Sequence, residues 1–305
     1  MKVALFQVPY HMGHERVGMG LGPIRLLEQG ADRRLRERGH EVDLTSVARP
    51  GPVRHEIGAI LEINRLLAGS VGEAVRQQQF PLVLAGNCNS CLGTLAGLSP
   101  SQVGIIWFDA HGDFNTPETT RSGFFDGMAL AAATGNCWKA LSSKISDFRP
   151  VAEERVLLVG VRDLDGAEEE LLKRSRVTVL RADQIRRDGI AAVLKPALAR
   201  LQSKVQEIYL HLDIDVLDPT EAPANEYSAP GGLSVTELEQ AVGMIAGRFA
   251  IRAAALTAYN PDYDPDNKTL RVGLRLLRAI VEAAAARKSH NETGNESPPH
   301  LNPLP

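Results

Sequence analysis

Two short stretches gather acidic side chains around an imidazole. Asp109-Ala110-His111-Gly112-Asp113 follows the apolar run VGIIWF, and Asp213-Ile214-Asp215 follows IYLHL, with Asp218-Pro219 beyond it. A third polar cluster, Gly86-Asn87-Cys88-Asn89-Ser90-Cys91, follows LVLA. Each begins at the C-terminal end of a predicted strand, the place where open α/β sheets bind ligands. Five carboxylates and one imidazole held there repel one another and lose hydration unless something neutralises them. Bound divalent cations are the natural remedy. Oxygen-rich donor sets with one or two imidazoles suit Mn²⁺, and shared carboxylates can bridge two ions about 4 Å apart. Strand alternation places Asp109, His111 and Asp113 on one face, and likewise Asp213 and Asp215. One Asp-x-Asp alone would read as a turn or a helix cap, which is the expectation for Asp218-Pro219. Two such clusters at two strand ends point to metal.

The elements that must carry these clusters follow from the apolar pattern. Candidate strands are Val3–Val8, Leu82–Ala85, Val103–Phe108, Val156–Gly160, Val177–Leu180, Ile208–Asp213 and Ile251–Ala258. They are nearly continuous in apolarity, as strands buried on both faces of a parallel sheet are. Amphipathic stretches lie between them: Pro23–Arg38, stopped by Gly39, then Ile57–Gln79, Glu168–Arg174, Ala191–Leu201, Val235–Ala246 and Leu270–Ala286. This β–α alternation predicts one α/β domain over 1–287 with helices on both sides of the sheet. From Lys288 the chain turns polar and proline-rich, and 288–305 is expected to be a disordered tail.

Composition narrows the class. The chain has 305 residues, 44% hydrophobic and 23% charged, ordinary for a globular protein with a sizeable core. Its 34 basic and 37 acidic residues give a net charge of −3 and no broad basic field, so nucleic acid is not expected as a partner. No window approaches the roughly 18 apolar residues of a membrane span, and the apolar run after Met1-Lys2 is too short for a signal peptide. Three cysteines, Cys88, Cys91 and Cys137, argue against a disulfide framework and for a reducing cytoplasm.

WFDAHGDFNTPETT followed by HLDIDVLDP resembles the ureohydrolase family of arginases, agmatinases and formimidoylglutamases. The likeness runs from the Gly-rich segment Gly18–Pro23 to about residue 285. It implies a three-layer α/β/α sandwich around a mainly parallel eight-stranded sheet. It also implies a binuclear manganese centre that activates water against a guanidinium or related carbon, a small guanidino substrate, and a homo-oligomer. Carried over by position, Asp109 and Asp213 match the bridging carboxylates, His111 and Asp215 complete one manganese site, and Asp113 matches a ligand of the other.

The departures from the family pattern bear on function. The usual Gly-Gly-Asp-His reads Ala85-Gly86-Asn87-Cys88, so Cys88 stands at a metal-ligand position, and a soft thiolate favours Zn²⁺ or Fe²⁺ over Mn²⁺. The Ser-Gly-x-x-His-Gly segment reads Ser122-Gly123-Phe124-Phe125-Asp126-Gly127, with Asp126 in place of a catalytic His. The Glu-x-Asn-Pro segment reads Ala258-Tyr259-Asn260-Pro261, so the carboxylate that faces the guanidinium is gone. Asp126, or Glu226 in the loop APANEYSAPGG, is the candidate to compensate. Asn115 and Ser122 match residues that hold the α-carboxylate in arginases, while a neighbouring Asn of that set is replaced by Phe124. Asp165 and Glu168 match residues around the α-amino group, or simply begin a helix, where the dipole favours acids. A family branch that hydrolyses N-hydroxylated arginine also has altered ligands at the first metal. Its less basic substrate needs no opposing Glu.

Two other readings compete. Cys88-Asn89-Ser90-Cys91 is a Cys-x-x-Cys at a strand-to-helix junction, the setting of redox sites, but that leaves the Asp–His clusters unexplained. Loss of a His ligand, the catalytic His and the Glu also fits a catalytically impaired binding protein. Against it, buried carboxylates are costly to keep without metal.

Overall fold

The computed structural model describes residues 1–48, 51, 55–99 and 102–293. Eight strands form one sheet, parallel throughout: β1 Lys2–Val8, β2 Glu41–Ser46, β3 Phe80–Ala85, β4 Gly104–Phe108, β5 Val156–Val161, β6 Thr178–Arg181, β7 Glu207–Asp213 and β8 Ala250–Thr257. Their order across the sheet is β2-β1-β3-β8-β7-β4-β5-β6. Strands β3, β4 and β5 are buried at every residue, which is why their sequences run apolar without alternation.

This order brings the polar clusters together. The four central strands β3, β8, β7 and β4 are neighbours, and three of them end in one of the clusters. Register aligns the ends, with Ala85 and Asp213 both beside Thr257 of β8 and Phe108 beside Leu212. Helices Leu21–Glu28, Ala31–Glu37, Ala182–Asp188, Ile190–Gln202, Val235–Ala246 and Lys268–Thr293 cover one face of the sheet. Helices Glu56–Arg76, Cys91–Gly97, Ala129–Ala133 and Gly166–Arg174 cover the other. The result is an α/β/α sandwich with one apolar core on each side of the sheet.

The seven strands expected from apolar runs are all present within two residues at either end. Strand β2 was not anticipated. It is an edge strand in which Val42 alone is buried, so it carries no apolar run. The expected single helix Pro23–Arg38 is two, divided at Gly30, whose φ of 82° ends one turn and starts the next. The last helix extends to Thr293, past the expected boundary at 287, and residues 294–305 of the expected tail lie outside the described residues. Among the described residues, no helix is long and apolar enough to cross a membrane.

Candidate metal centre and active site

Strand β4 ends at Phe108, so loop geometry rather than pleat alternation aims residues 109–113. Asp109 is held by two neighbours: Trp107 Nε1 donates to its Oδ2 at 3.0 Å, and the His111 amide to its Oδ1 at 2.7 Å. His111 Nδ1 lies 3.2 Å from Asp109 Oδ1 and 3.3 Å from Asp215 Oδ2. The Asp215 amide donates to Asp213 Oδ1 at 2.9 Å, and the Ala110 amide to Asp215 Oδ1 at 3.2 Å. Cys88 Sγ donates to Asp213 Oδ2 at 3.0 Å. Two trios emerge, Cys88–Asp109–Asp213 and Asp109–His111–Asp215, each with ligand atoms within 4.8 Å of one another. Asp109 is common to both. Asp213, expected to bridge as well, belongs to the Cys88 trio only, and Asp113 to neither. Asp113 instead turns at φ 49° and leaves a buried Oδ2 with no hydrogen-bond partner.

The charges here oppose one another. Burial, then neighbouring carboxylates, push Asp109, Asp213 and Asp113 above the usual range. Burial and Asp213 push the Cys88 thiol up as well. Burial also acts on Asp215, but the His111 imidazolium outweighs it and draws that carboxyl down to about 2. Burial disfavours the charged form of His111, yet Asp215 and Asp109 overcome it and raise its pKa well above the ordinary value. Four carboxylates with one imidazole and an orphan oxygen are a poor apolar core and a good cation site. The donors fit a pair of divalent ions, with sulfur in one of the two sets.

Asp126 stands beside this centre, 5% exposed. The Asn89 amide and Asn89 Nδ2 each donate to its Oδ1 at 2.8 Å, and Asn87 Nδ2 donates to its Oδ2. Burial lifts its pKa to about 6 against the pull of those bonds. The turn that carries Cys88 therefore also clamps Asp126.

A cavity of about 630 Å³ opens over the centre, lined by Cys88, His111, Asp113, Asn115, Ser122, Asp126, Asp165, Glu168, Asp213, Asp215 and Glu226. Eleven of the twelve expected site residues thus share one chamber, and Asp109 lies beneath it, 1% exposed. Ala258 also lines the chamber and adopts a φ of 64°, a conformation that costs an L-residue about 1–2 kcal/mol. Asn225 Nδ2 donates to the Ala258 carbonyl at 2.8 Å, and Asn260 Nδ2 to Glu226 Oε2 at 3.3 Å. Glu226 therefore reaches the chamber from a loop tied to the Ala258–Asn260 segment. Asn115 accepts from the Thr119 hydroxyl at 2.9 Å, and Ser122 from the Phe124 amide at 3.1 Å. Asp165 precedes helix Gly166–Arg174 without capping it and pairs with Arg121 at 3.6 Å. Glu168 is buried and accepts from the Phe114 amide at 2.8 Å, which braces the loop carrying His111 and Asp113. Phe124 and Tyr227 stack at the mouth, ring centroids 5.7 Å apart.

A protein-family model described as the arginase family matches residues 1–282. The chain belongs to the arginase family. The arginase of Bacillus caldovelox is 34% identical over 291 residues, which is 91% of this chain and 97% of that protein. The crystal structure of the arginase from Bacillus cereus superposes with a TM-score of 0.84 at 31% identity, covering 92% of this chain and 98% of that one. Formimidoylglutamase from Bacillus subtilis shares the fold, with a TM-score of 0.76 at 21% identity and coverage of 92% and 86%. This arginase-family protein is an amidinohydrolase, and its family works with a binuclear manganese centre.

Several residues that shape the site carry no signal in the sequence. Asn87 and Asn89 look like turn residues, and their bonds to Asp126 cross 39 and 37 positions of chain. Asn225, Thr257 and Tyr227 are ordinary loop or strand residues until the fold closes. His211 reads as a strand residue beside the metal ligands, yet it stacks on Trp107 with centroids 3.5 Å apart and planes at 11°.

Proposed function

We propose that this arginase-family protein hydrolyses a C–N bond of a guanidino amino acid, either arginine or its N-hydroxylated form, at a two-metal centre built on Asp109. The observation that carries the reading is the pair of donor trios sharing Asp109 at the floor of the chamber. Asp109, His111 and Asp215 hold one ion, and Cys88, Asp109, Asp213 and Asp113 hold the other. When bound, such ions supply an activated water for attack on the guanidino carbon. Asp126 holds and returns a proton at its carboxylate, in the place the family gives to His. Glu226 pairs with the guanidino N–H groups from the opposite loop. Asn115 and Ser122 meet the α-carboxylate, and Asp165 and Glu168 the α-amino group.

The absence of a carboxylate at Ala258 favours the N-hydroxylated substrate. Hydroxylation lowers guanidine basicity, so a neutral substrate loses less when that ion partner is missing. Residues 1–287 act as one catalytic unit, and the enzyme is a cytoplasmic homo-oligomer, in keeping with three free, buried cysteines. The test loads purified protein with Mn²⁺, counts ions per chain by elemental analysis, and follows ornithine release from N-hydroxyarginine and arginine. Two ions per chain with faster turnover of N-hydroxyarginine supports the reading. Protein that takes up no metal, or loaded protein that releases no ornithine, refutes it.

A further inference from the structure

We propose that Thr257 and His211 are positioning residues that hold the sulfur of Cys88 as a metal ligand, which rests on the ligand reading of Cys88 given above. Thr257 Oγ1 lies 3.2 Å from Cys88 Sγ and 3.2 Å from His211 Nε2. His211 Nδ1 lies 2.8 Å from the Tyr209 hydroxyl. The chain of contacts therefore runs Tyr209–His211–Thr257–Cys88, and every member is buried, with Tyr209 and His211 at 0% exposure.

Such a chain is expensive inside a parallel sheet. Apolar side chains at 209, 211 and 257 would pack there without any polar group to satisfy. Here each polar atom is satisfied by the next, and the series ends on the sulfur. A hydroxyl has one proton and two lone pairs. If His211 gives its Nε2–H to Thr257, the one Thr257 proton is shared between the Cys88 sulfur at 3.2 Å and the more distant Leu212 carbonyl at 3.4 Å, and the Tyr209 hydroxyl donates to Nδ1. A sulfur bound to a cation retains lone pairs that accept this bond.

The frame around the chain is rigid. Thr257 pairs with Asp213 in the register between β8 and β7, while His211 pairs with Ala255, two residues earlier on β8. Both side chains thus meet on one face of the sheet as diagonal neighbours. Trp107 fixes the imidazole plane by stacking and donates from Nε1 to Asp109. One aromatic stack consequently orients two members of the same trio, Cys88 and Asp109. The imidazole that the family places among the ligands is absent at 88, and His211 stands one residue behind it.

Partners of metal ligands are worth about 10–100-fold in metal affinity. The test titrates metal-stripped protein with Co²⁺, reading the near-ultraviolet sulfur-to-cobalt charge-transfer band and the Co²⁺ affinity. Wild type shows the band and Cys88→Ser loses it. Thr257→Val, which keeps the shape and removes the hydroxyl, shifts the band and weakens Co²⁺ binding roughly tenfold, whereas Thr257→Ser restores both to within about twofold. His211→Gln, read the same way, serves if Thr257→Val does not fold. No band in wild type overturns the ligand reading together with this proposal. A wild-type band that Thr257→Val leaves unmoved, at unchanged affinity, overturns the positioning role alone.

Discussion

Replacing Glu168 by Gln should stabilise the metal-free protein at alkaline pH and leave it unchanged in acid. Glu168 is 4% exposed, and its Oε1 accepts from the Phe114 amide at 2.8 Å. A Gln carbonyl oxygen keeps that bond, so the substitution removes the charge and little else. Burial raises the Glu168 pKa from 4.5 to about 7, against the pull of the Phe114 amide and His111. A carboxyl raised on folding favours the folded state while protonated. Its contribution is full below about pH 4.5 and is lost as pH climbs through about 7. At about 1.4 kcal/mol per pH unit, the gap is worth about 3 kcal/mol at pH 8.

The assay is thermal unfolding of wild type and Glu168→Gln from pH 4 to pH 8, in excess chelator so that bound cations do not mask the carboxylate. The two melting temperatures should coincide near pH 4. By pH 8 the variant should melt roughly 4–6 °C higher, at about 1.5–2 °C per kcal/mol for a chain of this size. Parallel profiles across the range would show that Glu168 ionises in place at little cost, and the account of its burial would be wrong.

Three further outcomes follow from contacts in the site. Asp126→Asn preserves shape beside Asn87 and Asn89 but cannot take up a proton, so kcat should fall by roughly 10²–10⁴ with KM nearly unchanged, measured as ornithine release. Phe124→Asn breaks the stack on Tyr227 and offers an amide to the substrate carboxylate. One added hydrogen bond of about 1 kcal/mol should lower KM roughly fivefold while kcat holds. Gly86→Ala places a methyl against the Tyr10 carbonyl and 2.7 Å from the Gly20 amide nitrogen, both backbone, so the backbone at Tyr10 and Gly20 and the Cys88 turn must separate. A loss of about 1–3 kcal/mol in thermal or urea unfolding is expected, with weaker metal binding alongside it.

The centre of this molecule was legible because its physics is local. Apolar runs without alternation require a sheet covered on both sides, and acids directly after such runs require a cation. Strand β2 escaped because an edge strand needs only Val42 to be buried. The break at Gly30 escaped because the amphipathic pattern continues across it. Pleat alternation grouped Asp113 with Asp109 and His111, but the pleat stops at Phe108 and the loop turns Asp113 aside. The clamp on Asp126 and the contacts of Thr257 with Cys88 and His211 join residues 37 to 169 positions apart, and no periodicity encodes such meetings.

The positions at which the motifs depart from the resembled family pattern also touch one another. By the motif resemblance Asn87 replaces an Asp and Asp126 a His, and the two are hydrogen-bonded to each other. By the same resemblance Cys88 replaces a His, and Thr257 joins it to His211. Ala258, which by the resemblance replaces a Glu, has its carbonyl bound by Asn225, and the residue after Asn225, Glu226, is held by Asn260. Of the carboxylates in the two trios and at 113 and 126, only Asp113 keeps a buried oxygen without a hydrogen-bond partner, and Ser90 Oγ in the Cys88 turn is another such atom. These contacts support the proposed hydrolysis at an altered site on the arginase fold.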